Sequence, residues 1–126
     1  MCLSRAAKYN YVTDTWISLP DMNAGRWYPT TTALTNGDVL TISGDIDTTA
    51  GVNPLPQVMQ VKIGTWRNLT SAQITLDDYP RMFLAPNGKV FLAGMGGQPA
   101  IWIRREPAPG ASSGLGSADF RATGRQ

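Results

Sequence analysis

What most constrains this chain is that it repeats itself. Trp16, Tyr28-Pro29 and Asn36-Gly37-Asp38-Val39-Leu40 are followed, in the same order, by Trp66, Tyr79-Pro80 and Asn87-Gly88-Lys89-Val90-Phe91. Tyr28 to Tyr79, Asn36 to Asn87 and Val39 to Val90 are each 51 positions apart; the two tryptophans are 50 apart, so a connecting loop carries one extra residue. Self-similarity at that period marks a supersecondary unit that buries its apolar faces against its neighbours. In 126 residues there is room for about two such units.

Composition says what a unit is made of. Thirteen Gly, nine Pro and a charged fraction of only 16% are poor material for long helices and suit short strands joined by tight turns. Thr30 to Leu34 is a β-branched run ending at Asn36-Gly37, a strong hairpin signal, and Val39 to Ser43 returns as its partner. Val58 to Ile63 reads as a third strand, Gly64 as a break, and Thr65 to Leu69 as a fourth carrying Trp66. Four antiparallel strands in a period near fifty residues describe a blade of a Kelch-type β-propeller. The nearly complete blade spans about residues 30–69. Ala7 to Tyr11 and Thr15 to Leu19 read as the last two strands of a preceding blade, with a turn at Thr13-Asp14. Met82 to Ala85 and Val90 to Ala93 read as the first two of a following one, and Ala100 to Ile103 begins a third.

The expected fold is therefore all-β: a partial, unclosed propeller over residues 7–103. From Arg104 onward Arg, Pro, Ala, Gly and Ser take over, and Leu115 and Phe120 are the only large apolar residues left. Residues 104–126 read as a disordered or frame-shifted tail, because such a segment buries too little to offset its ordering entropy. Two partial blades imply a piece of a longer propeller. They also imply blade faces left uncovered, hence marginal stability or self-association.

One stretch narrows the family. Leu19-Pro20-Asp21-Met22-Asn23-Ala24-Gly25-Arg26-Trp27-Tyr28-Pro29-Thr30, followed by Leu34-Thr35-Asn36-Gly37-Asp38-Val39-Leu40-Thr41-Ile42-Ser43-Gly44, resembles the Kelch blades of the galactose oxidase and glyoxal oxidase family. Tyr79 to Gly94 resembles the next blade of the same proteins, and the likeness covers about residues 7 to 95. It implies a secreted seven-bladed propeller with one copper ion held by two tyrosines and two histidines. One of those tyrosines is joined to a cysteine and serves as the radical. Such enzymes oxidise primary alcohols or aldehydes with molecular oxygen, releasing hydrogen peroxide. This chain departs from the pattern: it contains no histidine, and Gln98 to Ile103 holds no tyrosine where the family places its radical. Cys2 lies in no match to the cross-linked cysteine. No catalytic, cofactor-binding or metal-binding residue is carried over, and no catalysis is expected of the chain alone. The alternative is a non-catalytic Kelch module that binds carbohydrate or protein.

Other functions are narrowed by what is missing. A net charge of +2 with scattered Lys and Arg forms no basic stripe for nucleic acid. No apolar run approaches the roughly 18 residues of a membrane span. Without histidine no Ser/His/Asp or Cys/His constellation can form. The remaining candidate is the cluster Arg26, Trp27, Tyr28, Tyr79 and Arg81. As a ligand site, Trp27 and Tyr28 would stack on a sugar while Arg26 bonds its hydroxyls. As blade packing, the aromatics would fill the space between units while Arg26 caps backbone carbonyls, and recurrence of Tyr-Pro favours this reading. Recurrence likewise assigns Trp16 and Trp66 to packing between blades. Asp45, Asp47 and Asn53 alternate as calcium donors do, but fit Asx turns better.

Overall fold

The repeat in sequence is a repeat in backbone geometry. In a computed structural model that describes residues 2–93, together with the backbone of 101–103 and 121–122, the hairpin after each Tyr-Pro is closed by the same bonds. Leu34 N–H donates to Asp38 O at 2.8 Å and Gly37 N–H to Leu34 O at 3.0 Å; Ala85 N–H donates to Lys89 O and Gly88 N–H to Ala85 O, both at 2.9 Å. The asparagine side chain holds each turn from within, Asn36 Oδ1 accepting from Asp38 N–H and Asn87 Oδ1 from Lys89 N–H. Three residues form each loop, and its last position is left-handed, Gly37 at φ 86° and Gly88 at φ 77°. Glycine adopts that conformation at no steric cost.

Among the described residues there are twelve strands: β1 (Ala6–Asn10), β2 (Thr15–Leu19), β3 (Thr30–Ala33), β4 (Val39–Ile42), β5 (Asp45–Asp47), β6 (Gly51–Val52), β7 (Gln57–Gln60), β8 (Thr65–Asn68), β9 (Arg81–Leu84), β10 (Val90–Ala93), β11 (Ile101–Ile103) and β12 (Arg121–Ala122). The described residues form no α-helix, only one 3-10 turn at Thr70–Ala72. All pairings are antiparallel. They build two four-stranded sheets, β3-β4-β7-β8 and β12-β11-β10-β9, and two hairpins, β1-β2 and β5-β6. Among the described residues the chain is all-β, and no sheet closes on itself.

Alternation along the strands decides what meets what. Leu40 and Ile42 of β4, with Val58 of β7, point to one side of the first sheet. There they form a buried core with Met82 of β9 and Val90 and Leu92 of β10, joined by Leu69 and Ala72. On the opposite side Thr31, Val39, Thr41, Met59 and Trp66 face Ala6, Lys8 and Leu19 of the β1-β2 hairpin across a cleft of about 360 Å³. The first sheet is thus sandwiched between the hairpin before it and the second sheet after it. β3 and β9 lie side by side across the junction.

Several boundaries differ from the sequence reading. β7 ends at Gln60, and Val61 to Gly64 form a tight turn in which Gly64 (φ 74°) donates to Gln60 O. The stretch after Ser43 is more ordered than its composition suggested: β5 and β6 form a small hairpin, and Asn53 is buried. Of the expected tail, 104–126, only the backbone of Arg121–Ala122 is described, paired with Ile101–Trp102; the rest lies outside the described residues.

Candidate functional site

Arg26 reaches its place through a segment pinned at both ends. Arg26 N–H donates to Leu3 O, and Trp27 exchanges two 2.9 Å bonds with Asp45. The chain then turns sharply at Tyr28, whose φ is 60°. Gly44, at φ 89°, lies so close below that an added Cβ would come within 3.0 Å of Arg26 Cβ and of the Trp27 carbonyl.

The Arg26 side chain is only 7% exposed, and both nitrogens at its tip donate hydrogen bonds. Nη1 donates to Ser43 O at 2.9 Å; Nη2 donates to Asn23 Oδ1 at 3.0 Å, to the Leu55 carbonyl, and weakly to Gln57 Oε1 at 3.4 Å. Among the described residues Nε, also buried, has no partner. Every acceptor is neutral, so burial pushes the guanidinium down to about 10, well below its ordinary value. Around it Gln57 receives Asn23 N–H and donates to Asn68 Oδ1, and Asn53 bonds Asn23 and caps Leu55 N–H. Ser43, fully buried, shares its hydroxyl between the carbonyls of Leu76 and Asp77 at 3.1 Å. Arg26 therefore ties the end of β4 to the start of β7, and Ser43 extends the tie to the loop leading into the second unit.

That loop delivers Tyr79. Its φ of 52° matches that of Tyr28, its N–H donates to Tyr28 O at 3.1 Å, and the two rings stack with centroids 4.8 Å apart and planes at 30°. Trp27 lies against Tyr28 with ring centroids 4.9 Å apart and planes at 46°. A left-handed backbone is costly for a bulky residue. Its occurrence at equivalent positions of both units shows that the repeat itself fixes this turn. Partial desolvation, then the neighbouring Tyr28 and Asp78, hold the Tyr79 phenol above its usual 10.0.

The structure thus brings Arg26, Trp27, Tyr28 and Tyr79 together and leaves Arg81 apart. Arg81 opens β9 opposite Ala93, exposed, on the face turned away from the first sheet. Its place in the repeat is that of Thr30, whereas Arg26 corresponds to Asp77. Asn23, Ser43 and Gln57 belong to the Arg26 network and carried no sequence signal, because they converge from separate segments, while Asn53, read from the sequence as a turn residue or calcium donor, joins them through Asn23.

The other candidates separate. Asp47 Oδ1 accepts from Thr49 and Ala50 N–H, which holds its carboxyl below the usual range, while Asn53 turns inward to Asn23. Trp66 reaches back across the cleft, its indole N–H donating to Pro20 O at 2.7 Å. Trp16 instead is 73% exposed and rests on Tyr9.

A copper site of the kind the resemblance implies does not fit these residues. The chain supplies no imidazole, and Tyr28 and Tyr79 stack on each other. Among the described residues no three His, Cys, Asp or Glu gather as a metal-binding group, and no helix is long and apolar enough to cross a membrane. The sequence matches no family model and no curated protein.

Proposed function

We propose that the chain is a run of stacked Kelch-type propeller units of the galactose oxidase and glyoxal oxidase kind, acting as scaffold and performing no catalysis of its own. The observation that carries this is the junction between the two four-stranded sheets. Units 51 positions apart meet face to face, their first strands β3 and β9 lie side by side, and their equivalent tyrosines stack at the seam. A propeller requires that arrangement, with each blade burying one face on the blade before and one on the blade after. In a secreted copper-radical oxidase built this way, the imidazole ligands would come from outside these residues.

The aromatic cluster fits packing better than sugar binding. Tyr28 and Tyr79 each give one ring face to the other at the seam between the units, as packing would have it. Arg26 is only 7% exposed, and its tip is directed at backbone carbonyls and side-chain amides within the chain rather than outward. The test is turnover: with copper added and galactose or glyoxal as substrate, the chain should produce no hydrogen peroxide above a copper-only blank. Peroxide above that blank would overturn the scaffold reading. A second reading, a module that binds protein, is favoured by the sheet faces that remain open.

A further inference from the structure

Asn68-Leu69-Thr70 is an Asn-x-Thr triplet in which x is not proline, the acceptor pattern for an N-linked glycan. No other asparagine of the chain has Ser or Thr two positions on. In the fold Asn68 closes β8, an edge strand of the first sheet, and Thr70 opens the 3-10 turn that follows. Leu69 between them is 2% exposed, and its N–H donates to Pro56 O at 2.9 Å. With the middle residue held inward, Asn68 and Thr70 both stand exposed. The repeat does not ask for them. The preceding unit carries Ser18-Leu19-Pro20 at the same distance from its tryptophan and keeps only the leucine.

The buried network fixes which arm of the Asn68 amide faces out. Asn23 N–H and Arg26 Nη2 can only donate, so the Gln57 atom that receives them is Oε1. Gln57 Nε2 is thereby turned to Asn68 and needs an acceptor, which is Oδ1 at 2.8 Å. Nδ2, the nitrogen that carries a glycan, lies on the arm turned away from Gln57. We propose that Asn68 is the acceptor of an N-linked glycan at the outer rim of the first unit. Its Nδ2 bonds to the anomeric carbon of an oligosaccharide borne on a polyisoprenyl diphosphate. That carbon's bond to the diphosphate oxygen breaks, the lipid diphosphate leaves with the electron pair, and one Nδ2 proton passes to solvent. Oδ1 keeps its bond to Gln57, so attachment leaves the Arg26 network intact. β8 lies at the opposite side of its sheet from β3, the strand beside β9, so the sugar stands clear of the β3–β9 seam. A bulky glycan there also covers the β8 edge, which pairs with no further strand among the described residues. The inference rests on reading the chain as part of a secreted propeller, the setting in which such transfer occurs.

The test is expression of the full chain behind a cleavable secretory leader in eukaryotic cells, with the medium and the cell pool both collected. Peptide-N-glycosidase should shift the wild-type chain down by the mass of one glycan. Run in heavy-oxygen water, it should convert Asn68 to labelled aspartate in the tryptic peptide from Asn68 to Arg81. Asn68→Gln and Thr70→Ala should each lose the shift, whereas Thr70→Ser should keep it, which separates loss of the acceptor from loss of the fold. Unmodified Asn68 in both pools, or a shift that persists in Asn68→Gln, would overturn the proposal. So would a glycosylated chain that loses the Ile42–Leu92 contacts held by the unmodified one, since the fold would then have no room for the sugar. Unmodified Asn68 with those contacts present rejects the acceptor and leaves the unit reading standing; their absence from the unmodified chain rejects the unit reading.

Discussion

Arg26 is the residue on which the first unit converges. It ties two backbone carbonyls that lie twelve positions apart, the buried one of Ser43 and the half-buried one of Leu55, and does so without a carboxylate partner. Removing a donor that satisfies buried carbonyls costs the desolvation of each, about 1–3 kcal/mol. Arg26→Met should therefore lower unfolding stability by about 3 kcal/mol in a urea titration, and Arg26→Lys by about 2 kcal/mol, since an ammonium cannot span the same fork. Tyr79 makes a separate, pH-dependent contribution. Its phenol is held above 10.0 in the folded chain, so the unfolded chain ionises first. Stability from this group is whole below pH 10 and falls as pH rises through the folded value. Melting temperatures of the wild-type chain and Tyr79→Phe, compared between pH 9 and 11, should diverge, with the wild type falling faster. Parallel curves would remove Tyr79 from the junction's energetics.

At the scale of elements, the hairpins were legible and the connections were not. Asn36-Gly37 and Asn87-Gly88 announce their turns because side chain and backbone solve the same local problem without help from elsewhere. The small β5-β6 hairpin gave no such signal: Asp45-Ile46-Asp47 has too few residues to show a period, and its order comes from Trp27, to which Asp45 is bridged. The Arg26 network was half legible. Carbonyl capping by an arginine was foreseeable as chemistry, but its partners are set by tertiary convergence. The glycines offer a test of that difference. Gly88 needs a left-handed backbone but meets no backbone atom within 4 Å where a Cβ would stand. Gly88→Ala should cost about 1 kcal/mol. Gly44→Ala adds contacts at 3.0 Å with the Trp27 carbonyl and should cost clearly more. Equal losses in denaturant titrations would mean that the segment under Arg26 yields freely.

For the whole molecule, the account depends on which side of each sheet faces the junction. Leu40 and Leu92 are both 2% exposed, so Leu40→Ala and Leu92→Ala should each cost about 3 kcal/mol. Phe83→Ala, on the open face, should cost under about 0.5 kcal/mol in the monomer. The 51-residue period predicted that units would stack, and alternation along β4 and β10 then determined the inward set. What the sequence left unread was the near end: Trp16 and Trp66 share a position, yet Trp66 reaches across to Pro20 while Trp16 remains exposed, a contrast visible only once the units are placed. The most direct measurement is methyl-to-methyl nuclear Overhauser contacts in a methyl-labelled sample. The account predicts cross-peaks linking Leu40, Ile42 and Val58 to Met82, Val90 and Leu92. Contacts confined within each sheet, or cross-peaks from the first sheet to the ring protons of Phe83 in their place, would contradict it, because a register slip of one residue turns the other face inward.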